Sequence, residues 1–186
     1  MGMEGVRAAC PEPVERGAQN WDTTARVPPD MKSDAGRKHP AHRPFVERHN
    51  EQVIVFLTVC SKDRKPIFSS ADSAERIVSA WREAKSWLVG RYVIMPDHIH
   101  AFCAPGIFPR EPLKQWIRYW KNLASRKWPR PDEHPIWQRD FWDTQLRREE
   151  NYHEKWAYVA QNPVRGGLVG ESEEWPFQGE LNVLPW

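Results

Sequence analysis

No stretch of this sequence is apolar for long enough to cross a membrane as a helix. The longest run, Val53 to Leu57 continuing through Thr58 to Cys60, falls far short of the roughly 18 residues such a helix needs. The opening Met-Gly-Met-Glu-Gly-Val has neither the basic start nor the apolar block of a signal peptide. Cysteine is scarce as well: Cys10, Cys60 and Cys103 are an odd number with no C-x-x-C pair, which argues against a disulfide framework and against a Cys-rich zinc site. Nor is there an excess of either charge. With 27 Lys and Arg against 25 Asp and Glu, the balance is +2, so nucleic acid would have to be held by a local basic patch and not by the field of the whole chain. These absences predict a cytoplasmic protein with no membrane contact. The 186 residues, 40% hydrophobic and 28% charged, predict one globular domain.

Organisation follows from the pattern of apolar residues. The first 50 residues hold six prolines and four glycines without a helical or strand period, which predicts a disordered leader over 1–48. A folded domain is expected over 49–178 and a short tail over 179–186. Within the domain, Gln52 to Cys60 reads as a buried strand. Ser69 or Ser70 caps a helix that runs to about Trp87, with Ile77, Trp81, Ala84 and Leu88 at helical spacing. Leu88 to Met95 and His98 to Ala104 form a hairpin around Pro96-Asp97. A helix follows over Glu111 to Lys127, then an aromatic-rich strand over Ile136 to Gln145, then a last helix from about Arg148 to Asn162, stopped by Pro163. The order β-α-β-β-α-β-α predicts an α+β fold: a ferredoxin-like antiparallel sheet of four or five strands with helices packed on it.

Three features carry chemistry. His98 and His100 share one face of their predicted strand, where two imidazoles can hold a divalent ion; Cys103 lies an odd number of residues away and points to the other face, so a third ligand must come from elsewhere. On the last helix, Asn151, Lys155, Tyr158 and Asn162 form one stripe, and Tyr152, Trp156 and Val159 form the apolar stripe beside it. Tyr158 is then either a boundary residue of an amphipathic helix or a nucleophile whose neighbour Asn162 turns a carbonyl oxygen toward the histidines. The third feature is a basic, aromatic segment: Arg110, Lys114, Arg118, Lys121, Arg126, Lys127 and Arg130 alternate with Trp116, Tyr119, Trp120 and Trp128. Cations neutralise phosphates and aromatic faces stack on unpaired bases, so this segment is the candidate DNA-binding surface; Trp120 is expected in the core, while Trp116 and Trp128 fit either setting.

Val93-Ile94-Met95-Pro96-Asp97-His98-Ile99-His100, then Trp137-Gln138-Arg139-Asp140-Phe141-Trp142-Asp143, then Tyr158-Val159-Ala160-Gln161-Asn162-Pro163-Val164-Arg165-Gly166-Gly167-Leu168-Val169 together resemble the single-tyrosine (Y1) HUH transposases of the REP-associated type. The resemblance extends from about Val53 to Phe177; the long leader, the tail and Ala101 depart from it. It implies the HUH endonuclease fold and a metal-dependent endonuclease and strand transferase. The substrate it implies is single-stranded DNA folded as a palindromic hairpin, processed through a 5′-phosphotyrosine. By the same resemblance Tyr158 attacks, His98, His100 and Asn162 hold Mg²⁺ or Mn²⁺, and a monomer whose one chain completes its own site is favoured over a homodimer. A hairpin-binding protein that has kept this fold and lost transposition is the alternative.

Overall fold

The computed structural model describes residues 53–107, 109–146 and 149–184; the expected leader over 1–48 lies outside them. Strand β1, Ile54–Ser61, is buried at every position. That is why it reads as an unbroken apolar run and not as an alternating one. The next element, α1 over Ala71–Glu83, is capped by Ser70, whose hydroxyl accepts from the Ser73 amide at 3.3 Å. It ends before Trp87, short of the expected boundary. Trp87 opens β2, Trp87–Ile94, where it pairs with Pro105 and donates its indole N–H to the Glu111 carbonyl at 2.9 Å. A cross-strand partner for the backbone and an acceptor for the indole outweigh the helical spacing of Leu88.

The remaining elements are β3 (His98–Pro105), α2 (Leu113–Arg126), β4 (Trp137–Leu146), α3 (Glu149–Ala160), α4 (Asn162–Arg165) and β5 (Gln178–Glu180). The strands form one antiparallel sheet in the order β4-β1-β3-β2-β5, the ferredoxin-like order with one strand added at the β2 edge. That fifth strand carries the sheet past residue 178. Gln178 to Glu180 pair with Arg91 to Val93, the Trp175 indole donates to the Ile94 carbonyl at 3.0 Å, and Leu184 is buried. Residues 179–184 of the expected tail therefore belong to the fold. The expected last helix is interrupted as well: α3 stops at Ala160, Gln161 leaves helical geometry and α4 starts at Asn162. Pro163 has no amide to return to the fourth residue before it, so the ladder cannot pass through it.

Each face of the sheet has its own core. Helices α1 and α2 cover one, packing Ile77, Trp81, Trp116 and Trp120 on Val55, Leu57, Val59, Ile99, Ala101 and Cys103. Helix α3 and the C-terminal segment cover the other, packing Tyr152, Val159, Trp175 and Leu184 on Ile54, Phe56, Val93 and Phe102. Three residues expected on the DNA-binding surface of α2 point inward. Trp116 is 0% exposed, Trp128 5% and Lys121 7%. The Trp116 indole donates to the Ala84 carbonyl at 2.7 Å and the Trp128 indole to Glu133 Oε2 at 2.6 Å, so both rings are held in place by their polar edge as well as by their faces. Lys121 donates to the Gln138 carbonyl of β4 at 3.0 Å, with its ammonium 5.9 Å from the Trp137 ring centroid. The charge periodicity of α2 does not reveal that β4 folds over this part of the helix.

Burial lowers the Lys121 pKa to about 8, against weaker pulls from Cys60 and Asp140. Between about pH 8 and its ordinary value of 10.5 the folded protein holds fewer protons at this site than the unfolded chain, so stability rises with pH in that window. The gain is on the order of 3 kcal/mol. Urea denaturation from pH 7 to 10.5 should show this rise in wild type relative to Lys121→Met; parallel stability curves would place the ammonium in water.

Candidate active site

The two histidines sit on the central strand of the sheet and face α3. Their rings meet edge to face with centroids 4.7 Å apart. Below His100 lies Phe56, stacked at 5.4 Å and 19°, and its Nδ1 meets Thr58 Oγ1 at 2.9 Å across the β1–β3 register. His98 Nδ1 meets Asp97 Oδ1 at 2.6 Å, and Asp97 Oδ2 meets Arg64 Nε at 2.7 Å. Both Nδ1 atoms are thus occupied by side chains behind the pair, which leaves the Nε2 lone pairs as the outward coordinating positions.

The groups behind the histidines are themselves fixed. The Asp97 carbonyl accepts from the Ser61 amide at 2.9 Å. Asp63 and Arg64 both adopt left-handed backbone, with φ 56° and 57°, a geometry that costs an L-residue about 1–2 kcal/mol. The turn they make brings Arg64 back to Asp97 and to Cys60 Sγ, 2.8 Å from Nη1. Burial works against the Asp97 carboxylate, but the hydrogen bond and charge of His98 and the charge of Arg64 outweigh it and hold the carboxyl below its ordinary range. His100 is moved well below the usual imidazole value, first by burial and then by the charges of His98, Arg64 and Arg165. It is therefore neutral at physiological pH, the form in which an imidazole coordinates a cation.

Helix α3 reaches this face through an aromatic chain. Tyr152 is 5% exposed and sits edge-on to Phe102 at 4.7 Å, and Phe102 lies 5.2 Å from Phe56. The Lys155 ammonium is 5.1 Å from the Phe56 ring centroid, on the ring that supports His100. Tyr152 is on the apolar stripe as the spacing predicts. Tyr158 is half-buried at its margin, and α4 brings Asn162 and Arg165 to it: Arg165 Cζ lies 3.9 Å from the Tyr158 ring centroid, and Nη2 donates to Asn162 Oδ1. Among the described residues no third His, Cys, Asp or Glu joins the histidines. A cation held by the two Nε2 atoms would draw its other ligands from an amide oxygen, water or substrate. Two nitrogens with oxygen donors suit a divalent ion such as Mn²⁺, and Mg²⁺ less tightly.

Lys114, Arg118, Arg126 and Lys127 are exposed on α2, which covers the opposite face of the sheet, and Arg110 is half-buried before it. The structure therefore does not bring the basic helix to the histidines. The cations near them are Arg64, Lys155 and Arg165, none of which the charge pattern singles out. Asp97 was recognisable as the residue preceding His98, but Thr58 emerges only from the β1–β3 register. Because Asp97 is held ionised, Asp97→Asn should lower stability at pH 7 by about 1–2 kcal/mol. That difference should shrink as pH falls through the depressed carboxyl range below 3.8. Urea titrations from pH 7 to 3 measure it; a pH-independent gap would mean that the carboxylate charge is not what holds His98.

No family model matches the chain. Among curated proteins it is 26% identical, over 140 residues, to a provisionally named REP-associated tyrosine transposase of Haemophilus influenzae; the match covers 67% of this chain and 77% of that one. It is 26% identical over 89 residues to the REP-associated tyrosine transposase of Escherichia coli, covering 48% of this chain and about half, 52%, of the relative. Among solved structures, a REP-associated tyrosine transposase bound to a REP hairpin superposes with a TM-score of 0.57 at 21% identity, covering 73% of this chain and 82% of that one. The chain shares that protein's fold.

Proposed function

We propose that this chain, similar in sequence to the REP-associated tyrosine transposases, is a single-strand DNA endonuclease and strand transferase. The observation that carries the proposal is the buried histidine pair with both Nδ1 atoms engaged from behind and the Tyr158 helix laid over the same face. The substrate is hairpin DNA with single-stranded flanks, the kind of ligand held by the solved relative, a REP hairpin. His98, His100 and Asn162 would hold Mg²⁺ or Mn²⁺, which when bound supplies Lewis-acid charge against the scissile phosphate.

The residues of this chain do the rest. Tyr158 loses its phenol proton to water, and the oxygen attacks the phosphorus. The bond to the 3′ oxygen breaks as the new P–O bond forms, and the departing oxygen takes up a proton to leave a 3′-hydroxyl. One phosphodiester has been exchanged for another, so a second 3′-hydroxyl can displace Tyr158 without ATP. A phenol is a weak nucleophile at neutral pH, and a cation held by neutral His100 and by His98 would favour its attack. Asp97 and Thr58 keep the imidazoles oriented. Since α3 packs on its own sheet through Tyr152 and Phe102, we assign the working unit to one chain. The exposed stripe of Lys114, Arg118, Arg126 and Lys127 would hold hairpin phosphates on the far face.

Tyr158→Phe should abolish the covalent protein–DNA adduct while leaving hairpin affinity nearly unchanged, and His98→Ala or His100→Ala should lower adduct formation far more than binding. Denaturing gels with end-labelled hairpins and Mn²⁺ measure this, with chelator as the blank. Loss of the adduct in Tyr152→Phe and not in Tyr158→Phe would reassign the nucleophile. Replacing Lys114 and Arg118 together by alanine should flatten the salt dependence of binding by about 0.7–0.9 per lost phosphate contact; an unchanged slope would remove α2 from the interface.

A further inference from the structure

Arg165 is exposed, yet its guanidinium is fixed on three sides. It lies over the Tyr158 ring with Cζ 3.9 Å from the centroid, Nη2 donates to the Tyr158 carbonyl at 2.8 Å, and Nη2 also donates to Asn162 Oδ1. The turn that presents it is closed by its own backbone. The Arg165 amide donates to Gln161 at 2.9 Å, Gly166 to Asn162 at 2.8 Å and Leu168 to Pro163 at 2.9 Å. Gly167, with φ 67°, provides the left-handed step out of it. One side chain thus connects the residue assigned as nucleophile to the residue assigned as third metal ligand.

Resting on the reading of Tyr158 and Asn162 given above, we propose that Arg165 is a positioning residue that orients the Tyr158 ring and occupies the Asn162 oxygen until a divalent cation displaces it. Stacking on a planar guanidinium restricts rotation of the Tyr158 ring, and the bond to the Tyr158 carbonyl anchors the same fork to the helix end. Asn162 Oδ1 meanwhile has a cationic partner. A divalent ion held by His98 and His100 and drawing on the same oxygen brings a second cation to one amide group, and the two repel. Metal binding therefore requires Arg165 to yield Asn162 while keeping its place over Tyr158. Removing its charge helps the metal, whereas removing its planar face harms the attack.

These effects have opposite signs, which separates them from general damage at the site. The full chain with Arg165→Met and with Arg165→Lys is compared with wild type by electron paramagnetic resonance of free Mn²⁺ without DNA, and by single-turnover adduct formation on saturating hairpin DNA. Arg165→Met should bind Mn²⁺ about twofold to fivefold more tightly, the scale of an exposed charge interaction. It should form adduct at least about tenfold more slowly, the scale of a misplaced reacting group, with hairpin affinity unchanged. Arg165→Lys should restore the wild-type Mn²⁺ affinity, because the charge returns, and not the rate, because neither the planar face nor the fork does. Unchanged or weaker Mn²⁺ binding by Arg165→Met, or a parallel fall of rate and hairpin affinity, would overturn the inference. A wild-type chain that binds Mn²⁺ without forming adduct would defeat the proposed enzyme activity and still leave the Mn²⁺ comparison to decide Arg165; one that binds no Mn²⁺ would defeat both.

Discussion

Two imidazoles on the middle strand of a sheet covered on both faces must each give a ring nitrogen an acceptor or donor in place of lost water, or the strand is destabilised. This requirement organises one half of the molecule. Thr58 meets it for His100 through the β1–β3 register, and Asp97 meets it for His98 from the hairpin turn. Asp97 is in turn compensated by Arg64, which needs two successive residues in left-handed backbone to reach it. Strain of that kind persists only where surrounding contacts over-determine it. Here these are the Lys62 amide bonded to the Ile136 carbonyl at 2.8 Å and the Phe68 amide bonded to Pro96 at 2.9 Å. The outcome is a pair of rings each held from behind through its Nδ1.

The two faces of the sheet divide the labour. Under α1 and α2 the tryptophans pack on one another: Trp81 against Trp120, Trp116 against Trp87 and Trp120, and Trp137 against Trp120 and Trp128. Most of their indole N–H groups find carbonyl, hydroxyl or carboxylate acceptors. Trp81 and Trp120 have buried indole nitrogens with no hydrogen-bond partner among the described residues, a cost of about 1–3 kcal/mol each that the large apolar area must exceed. The other face, under α3, carries a smaller apolar cluster together with His98 and His100. A packed aromatic layer thus supports the strand from behind.

Periodicity and punctuation made most of the architecture legible. The order of elements, the buried first strand, the placement of both histidines on one face and the inward position of Tyr152 all follow from local pattern, because each depends on residues near one another in the chain. What depended on tertiary packing did not show. The abundance of tryptophan resembled a stacking surface, yet Trp116 and Trp128 are core; nothing in the helical wheel of α2 indicates that β4 covers Lys121. The same limit hid Thr58 and Arg64, whose partners lie 42 and 33 residues away. The sheet of four or five strands is borne out, but the place of the fifth did not show in the sequence for a different reason: three residues containing a glycine have too little β character to register until β2 offers them a partner.

The break between α3 and α4 shows how a single residue type shapes the site. In an uninterrupted helix Arg165 would lie seven residues beyond Tyr158, on the same face but about 10 Å further along the axis, so that its side chain would have to reach back over two turns to touch the ring. Pro163 cannot continue the ladder, Gln161 leaves helical geometry, and α4 begins afresh at Asn162. Across this break the guanidinium lies against the Tyr158 ring and Asn162 stays within its reach. A proline that reads in sequence only as a helix stop thus lies, in the folded chain, between Tyr158 and the arginine that meets both its ring and Asn162.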